Sequence, residues 1–122
     1  MIVGSILENQ KIEKRIAITP EVTKKYISLG IEVCLSENYG VHLGIKDEIY
    51  KELGVKIYKD DTQILKSSDI IVQLGMLSDD KISNVNGNQT LIGVFDPYNN
   101  KEKLINLVKK NISLFSLELL PR

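Results

Sequence analysis

The sequence predicts an α/β domain with an open, mostly parallel sheet and helices on both of its faces. Apolar runs rich in Ile, Val and Leu, the composition of buried parallel strands, recur along the chain. Segments with helical periodicity separate these runs, and strands that alternate with helices are joined by right-handed crossovers. These two observations predict one three-layer, flavodoxin- or Rossmann-like domain over residues 1–122.

The predicted strands and helices alternate strictly along the chain. The strands are predicted at Ile2–Ile6, Glu32–Ser36, Lys56–Tyr58, Ile70–Leu74, Thr90–Phe95 and Ser113–Leu117. The helices are predicted at Pro20–Leu29, Lys46–Leu53, Thr62–Ser67, Asp79–Val85 and Lys101–Lys110.

Turn and cap residues set the predicted boundaries. Thr19 can cap the first helix with its hydroxyl, and Pro20 suits the first helical position. Gly30 supplies the left-handed residue that ends this helix, and Gly54 ends the second one. The Asn-Gly-Asn run at 86–88 predicts a turn before the fifth strand.

Helical periodicity also predicts which faces are buried. Val22, Tyr26 and Leu29 fall at positions i, i+4 and i+7 of the first helix, which places them on one side. Leu104 and Val108 belong to an apolar stripe on the last helix. All five side chains are therefore expected to face the sheet.

Composition excludes several classes of function. Sixteen basic residues balance sixteen acidic ones, so there is no overall attraction to nucleic acid or to an anionic membrane. No N-terminal segment resembles a signal peptide or a membrane helix, so no direct membrane insertion is expected. Cys34 is the single cysteine, which excludes an internal disulfide, and the lone His42 is predicted to be a surface loop residue and no metal ligand.

The sequence lacks the phosphate-binding loop of dinucleotide-binding domains. Such domains place Gly-x-Gly-x-x-Gly between a strand and a helix, with an acidic residue some twenty positions later. The run from Gly40 to Gly44 has the wrong spacing and does not follow a buried strand. The chain alone is therefore expected not to hold NAD in the usual manner.

Arg15 is the strongest candidate for a ligand contact. It ends a charged loop and lies just before the capped helix, and a guanidinium held there suits a carboxylate or a cofactor. The alternative is a structural arginine that pairs with Glu8 or Glu13. We predict that Arg15 lies at the carboxyl edge of the sheet, near the loops at 75–77 and 96–99, because such ends share one rim.

The segment from Asp96 to Asn100 follows the fifth strand and has two interpretations. Loops at the carboxyl ends of parallel strands are where open α/β sheets bind ligands. The alternative is a capped turn in which Asn100 caps the last helix.

The stretch from Gly4 to Gly30 resembles the N-terminal signature of the alanine dehydrogenase and pyridine nucleotide transhydrogenase family. The residues that carry the resemblance are Gly4, Glu8, Arg15, Ala17, Thr19, Pro20, Val22 and Gly30. The sequence departs from the family at Ile6, where a proline is usual, and at Ile12, where an asparagine is usual. The run ELLPR at 118–122 resembles the ELMPR run of transhydrogenase alpha subunits.

The resemblance also implies which branch of the family fits. The family's two active-site lysine places hold Gln73 and Gly75 here, and Asp96 stands near the place of its catalytic histidine. A carboxamide, a glycine and a carboxylate cannot replace an ammonium and an imidazole in proton transfer. No catalytic residue is therefore assigned, and the departures favour the transhydrogenase branch, which also lacks these groups.

For the transhydrogenase branch, the resemblance implies hydride transfer from NADH to NADP+ coupled to proton movement. It implies NADP(H)-binding and membrane-spanning partner components, a second copy of this component, and a cytoplasmic place peripheral to the inner membrane. Arg15 and Arg122 become the candidate NAD(H) contacts of the full-length protein. The chain would cover only about the first third of the family's domain pair, either because the gene is split or truncated or because the chain was cut. The missing Gly-rich domain leads us to expect no bound NAD(H) and no activity for these residues alone.

Two other interpretations stay open at this point. The first is an amino-acid dehydrogenase domain of the alanine or saccharopine type, which Gln73, Gly75 and Asp96 disfavour. The second is a non-catalytic, truncated binding module with a flavodoxin-like fold, which the missing glycine-rich loop favours.

Overall fold

The computed structural model describes residues 1–117, so the ELLPR run and Arg122 lie outside the described residues. The strands are β1 (Ile2–Ser5), β2 (Glu32–Ser36), β3 (Lys56–Tyr58), β4 (Ile70–Gln73), β5 (Thr90–Gly93) and β6 (Ser113–Ser116). The helices are α1 (Pro20–Ser28), α2 (Asp47–Glu52), α3 (Asp61–Ser67), α4 (Asp79–Ile82) and α5 (Lys101–Lys109), and a 3₁₀ turn spans Val41–Leu43. Every predicted strand and helix is present, with ends that differ by at most three residues.

The described strands form one six-stranded sheet in the order β3-β2-β1-β4-β5-β6. Each neighbouring pair is parallel, and β1 lies in the middle with Val3 opposite Val33 on one side and Ile70 on the other. The chain first builds outward from β1 to β3, and it then returns to build the other half from β4. The strand order therefore reverses between β1 and β4, which is the topological switch point of the sheet.

Apolar side chains are buried on both faces of the sheet, which confirms the three-layer prediction. Because side chains alternate along a strand, Cys34 lies in one cluster while Val33 and Leu35 lie in the other. The first cluster includes Ile64 of α3, Ile82 of α4 and Leu107 of α5. The second cluster includes Tyr50 of α2, with Tyr26 and Ile27 of α1 packed against it.

Helix α1 begins as predicted but buries a different residue. The backbone N–H of Val22 donates to Thr19 Oγ1 at 3.3 Å, which confirms the cap. The prediction that Leu29 faces the sheet was wrong: it is 74% exposed, because it lies at the helix end where Gly30, with φ of 82°, reverses the chain. Thr23 is fully buried instead, and its hydroxyl is satisfied by donating to the Thr19 carbonyl.

The buried face of helix α5 also differs slightly from the predicted one. Leu107 is fully buried and Leu104 packs beside it, whereas Val108 is 60% exposed and that prediction was wrong. Each residue turns the helix by about 100°, so Val108 lies about 100° around the helix from Leu107. Because the buried face is centred between Leu104 and Leu107, Val108 lies beyond its edge, on the solvent side. Asn100 occupies the N-cap position, but its side chain makes no capping bond and donates to the Phe95 carbonyl.

None of the helices within residues 1–117 is long and apolar enough to cross a bilayer.

Candidate functional site

Strands β1 and β4 separate at their carboxyl ends, at the switch point. Their residue pairing covers Val3 with Ile70 and Gly4 with Ile71, and it goes no further. Beyond that point, side chains connect the two strands in place of backbone hydrogen bonds. Open α/β sheets bind ligands in the crevice that such a separation creates.

Gln73 supplies the main connection. Its side chain is buried, with 2% relative exposure, and its Oε1 accepts hydrogen bonds from Ile6 N at 2.7 Å and Ser5 Oγ at 2.9 Å. Its Nε2 donates to Ile6 O at 3.1 Å and to Glu8 Oε2 at 3.0 Å. The carboxamide therefore acts as an extra peptide group between the strands, and both of its polar atoms are fully used.

Glu8 is the second connection across the switch point. Its carboxylate accepts the backbone N–H of Leu74 at 2.8 Å and that of Gly75 at 3.1 Å, and it is 8% exposed. Burial raises the pKa of the Glu8 carboxyl above its usual 4.5, and the bonds from Leu74 and Gly75 oppose this change. Glu8 thus holds the first residues after β4 against the end of β1.

Two buried tyrosines fix the segment that leads into α1. The Tyr39 hydroxyl lies 2.9 Å from Ser5 Oγ and accepts the backbone N–H groups of Ala17 at 3.1 Å and Ile18 at 3.2 Å. Tyr50 donates to the Ile18 carbonyl at 2.8 Å. Burial raises the pKa of the Tyr39 hydroxyl, so it stays protonated and able to donate. The backbone beside Arg15 is therefore anchored to the sheet.

Two adjoining cavities of about 420 Å³ and 380 Å³ lie at this rim, and we call the pair the rim cleft. The residues that line both cavities are Glu8, Asn9, Ile12, Met76 and Lys103. The first cavity extends to Gln73 and Lys81, and the second extends to the loops after β4 and β5. One wall of the rim cleft is the loop of residues 7–15, which we call the rim loop.

The charged groups of the rim cleft are mostly paired within the protein. Lys81 Nζ lies 3.0 Å from Asp61 Oδ2, and Lys103 Nζ lies 3.9 Å from Asp79 Oδ1. No group of three His, Cys, Asp or Glu side chains among residues 1–117 is placed to hold a metal ion. With its apolar and hydrogen-bonding side chains, the rim cleft can position a ligand.

The segment after β5 is a tight turn that also lines the rim cleft, but the predicted side-chain cap by Asn100 was wrong, because that side chain donates to the Phe95 carbonyl. Asp96 has φ of 47° and accepts a hydrogen bond from Asn99 Nδ2 at 2.6 Å, while the N–H groups of Asn99 and Asn100 donate to its carbonyl. These bonds make a tight turn before α5. Asp96 and Asn100 also line the second cavity, so the same turn forms part of the rim cleft.

Arg15 pairs with Glu13 and not with Glu8. Its Nε and Nη2 donate to the two Glu13 carboxylate oxygens at 2.8 and 2.9 Å. The side-chain bond from Arg15 lowers the pKa of Glu13 to about 2. Glu13 lines the rim cleft, whereas the Arg15 side chain is 74% exposed and is not among the lining residues. A cofactor contact by Arg15 stays a prediction, as does one by Arg122.

Replacing Arg15 with alanine is expected to change the melting temperature by less than about 3 °C, because an exposed ion pair contributes little to stability. Thermal unfolding followed by circular dichroism measures this change, with Arg15→Lys as the matched control that keeps the charge. A sharp drop in melting temperature for the alanine variant alone would show that the arginine is structural. Together with unchanged turnover in a full-length enzyme, it would remove Arg15 from the candidate ligand contacts.

Sequence reasoning missed the roles of Gln73 and Glu8. The sequence presents Gln73 as a residue standing in a lysine place. It presents Glu8 as a residue that carries the family resemblance and as a possible partner of Arg15. The available signal for Gln73 was a polar side chain at the end of the apolar run Ile70–Val72. A buried polar residue needs a partner, but the sequence does not show that the partners lie on β1.

The strand order and the crevice at its reversal define a doubly wound α/β domain. The chain belongs to the alanine dehydrogenase and pyridine nucleotide transhydrogenase family: the family model "Alanine dehydrogenase/PNT, N-terminal domain" matches residues 4–122.

Relatives within this family are similar along most of the chain. An NAD(P) transhydrogenase subunit alpha protein of Rickettsia prowazekii is 33% identical over 126 residues, which cover 100% of this chain and 33% of that protein. The crystal structure of transhydrogenase from Sinorhizobium meliloti matches with a TM-score of 0.91 and 29% identity, covering 100% of this chain and 36% of that one. An L-alanine dehydrogenase matches with a TM-score of 0.88 at 16% identity, over 95% and 32% of the two chains, which shows the shared fold. The chain thus spans about a third of the length of the relatives it matches.

Proposed function

We propose that this chain is the first α/β subdomain of the NAD(H)-binding component of a proton-translocating NAD(P) transhydrogenase. In this role it forms one wall of the cleft that holds NAD(H), and a Gly-rich Rossmann domain forms the other. The observation that carries the proposal is the rim cleft at the switch point of a fold shared with transhydrogenases. The cofactors perform the hydride transfer itself, and the protein positions them.

The solvent-exposed side of the rim cleft supports the proposal that another domain forms its second wall. Ile12 lines both cavities, yet its side chain is 82% exposed, so one edge of the cleft presents an apolar group to solvent. A flat nicotinamide ring packed between Ile12, Met76 and an opposing domain would cover this surface. The missing phosphate-binding loop is consistent with the diphosphate being held by that opposing domain.

The state of Gln73 argues against amino-acid dehydrogenation. In the lysine place implied by the resemblance, Gln73 has both polar atoms engaged by Ser5, Ile6 and Glu8. It therefore has no free donor for a substrate carbonyl, and a carboxamide does not transfer protons near neutral pH.

The proposal extends to assembly and location. Since the relatives are named as subunits of NAD(P) transhydrogenase, the partners would be NADP(H)-binding and membrane-spanning components and a second copy of this component. The chain would then lie on the cytoplasmic side, peripheral to the inner membrane through its partners. We propose no nucleic-acid partner for the chain and no direct insertion of it into the membrane.

A chimera tests the proposed function. The chain replaces the matching 36% of the Sinorhizobium meliloti transhydrogenase chain. We expect the chimera to bind NADH and to support reduction of an NADP+ analogue by NADH when mixed with the remaining components. The chain alone is expected to bind NADH more weakly than about 1 mM in calorimetric titration, because it has no phosphate-binding loop.

The chain alone, assayed with alanine or saccharopine and NAD+, is the control for the alternative activity and should show none. Micromolar NADH affinity of the chain alone, or a folded chimera without NADH binding, would contradict the proposal. Arg15→Ala in the active chimera is expected to weaken NADH or substrate handling, and unchanged turnover would remove Arg15 from the site.

A further inference from the structure

The rim loop is held in place from outside the sheet. Five of its residues line the rim cleft, namely Leu7, Glu8, Asn9, Ile12 and Glu13. Two of the residues between and beside them, Gln10 and Lys14, make hydrogen bonds to a single side chain on another element. Residues that form the cleft wall thus alternate with residues that anchor it.

That side chain is His42, on the 3₁₀ turn Val41–Leu43 that follows β2. His42 Nε2 lies 2.7 Å from the Lys14 carbonyl oxygen, and its Nδ1 lies 3.1 Å from Gln10 Nε2. A carbonyl only accepts, so Nε2 carries the hydrogen. In the neutral ring Nδ1 is then the acceptor for the Gln10 amide. Both ring nitrogens are used, and the tautomer is determined by the geometry.

We propose that His42 is a positioning residue that fixes the cleft-lining part of the rim loop. Glu8 holds the first part of the loop against the residues after β4, and the N–H groups of Ile12 and Glu13 bond only within the loop, to the Asn9 carbonyl. The two His42 bonds, at Gln10 and Lys14, connect this second part of the loop to the 3₁₀ turn. Consequences for nucleotide handling rest on the proposed function, but the positioning does not, since it concerns only the loop and the 3₁₀ turn.

Limited trypsin digestion of the 122-residue chain tests the proposal without any nucleotide. The rim loop contains the tryptic sites Lys11, Lys14 and Arg15, and Lys24 and Lys25 on α1 serve as the internal reference. Mass spectrometry measures the initial cleavage rate at each site. His42→Ala is expected to raise cleavage in the rim loop about tenfold relative to α1, since cleavage follows the population of the opened loop.

Three comparisons separate positioning from general destabilisation. Leu43→Ala, on the same exposed turn, is the matched control and should leave the cleavage ratio unchanged. His42→Gln keeps a side-chain N–H for the Lys14 carbonyl and should recover most of the protection. In the unmodified chain, ¹⁵N spectra of the imidazole in mildly alkaline buffer should show Nε2 protonated and Nδ1 unprotonated.

An unchanged ratio in His42→Ala, an equal rise in Leu43→Ala, or an Nδ1-protonated tautomer would overturn the proposal. Because no outcome depends on NADH, a failure of the transhydrogenase assignment would leave this result intact, and the reverse also holds.

Discussion

Replacing Gln73 with leucine is expected to lower the free energy of unfolding by about 3–5 kcal/mol. The side chain satisfies the backbone N–H and carbonyl of Ile6, the Ser5 hydroxyl and one Glu8 oxygen, all in the buried or half-buried region between β1 and β4. A leucine of similar volume fills the space but removes the partners of the Ile6 N–H and carbonyl, at about 1–3 kcal/mol for each group left unsatisfied. Ser5 and Glu8 keep their bonds to Tyr39 and to the Leu74 N–H. Urea unfolding followed by circular dichroism measures the loss.

The nearly isosteric variant Gln73→Glu distinguishes hydrogen bonding from packing. At neutral pH the introduced carboxylate faces the Glu8 carboxylate and the Ile6 carbonyl, where Gln73 Nε2 now donates. Repulsion and burial raise the pKa of this pair of carboxyls above the usual 4.5, as burial already does for Glu8. A carboxyl whose pKa is raised by folding stabilises the folded state at low pH, and the effect is lost as pH rises through the raised value.

The free energy of unfolding of Gln73→Glu should therefore approach that of the unmodified chain as pH falls from about 7 toward 5. The leucine variant should show no such recovery, since it introduces no titratable group. If both variants were as stable as the unmodified chain at neutral pH, the carboxamide would not connect the strands, and our account of the switch point would be wrong.

The order of the strands and helices was predictable because local patterns carry it. Thr19 and Gly30 bound α1 through interactions within a few residues, and apolar runs such as Ile70–Val72 mark strands wherever they lie in the sheet. The inward faces were less predictable. Leu29 fits the helical period, yet it lies where the chain reverses, and a periodic pattern does not record where a helix stops being regular.

The rim cleft depends on contacts between distant residues, so the sequence could not give its geometry. Gln73 meets Ser5 and Ile6 across more than sixty residues, and His42 meets the rim loop across about thirty. Each contact depends on which strands are neighbours in the sheet, which no local pattern encodes. The resemblance described Gln73 only by the lysine that it replaces.

Glycine at position 93 is required by the close approach of β5 to β4 at the same rim. Gly93 is buried and lies opposite Gln73 in the strand register. A Cβ atom there would lie 1.9 Å from the Gln73 carbonyl oxygen and 2.5 Å from the Phe95 ring. Because the first neighbour is backbone, side-chain rotation cannot relieve the overlap, and the strands would have to move apart.

Gly93→Ala is therefore expected to lower the free energy of unfolding by about 3 kcal/mol or more, a fall in melting temperature of roughly 12 °C. Gly75→Ala is the matched control, since its Cβ would lie 3.3 Å from a Glu8 carboxylate oxygen, which can shift by a few tenths of an ångström. Gly75→Ala should lower the free energy of unfolding by less than about 1 kcal/mol. Differential scanning calorimetry of the two variants gives both values. Equal melting temperatures would mean that β4 and β5 do not approach this closely, because only that approach makes the two glycines different.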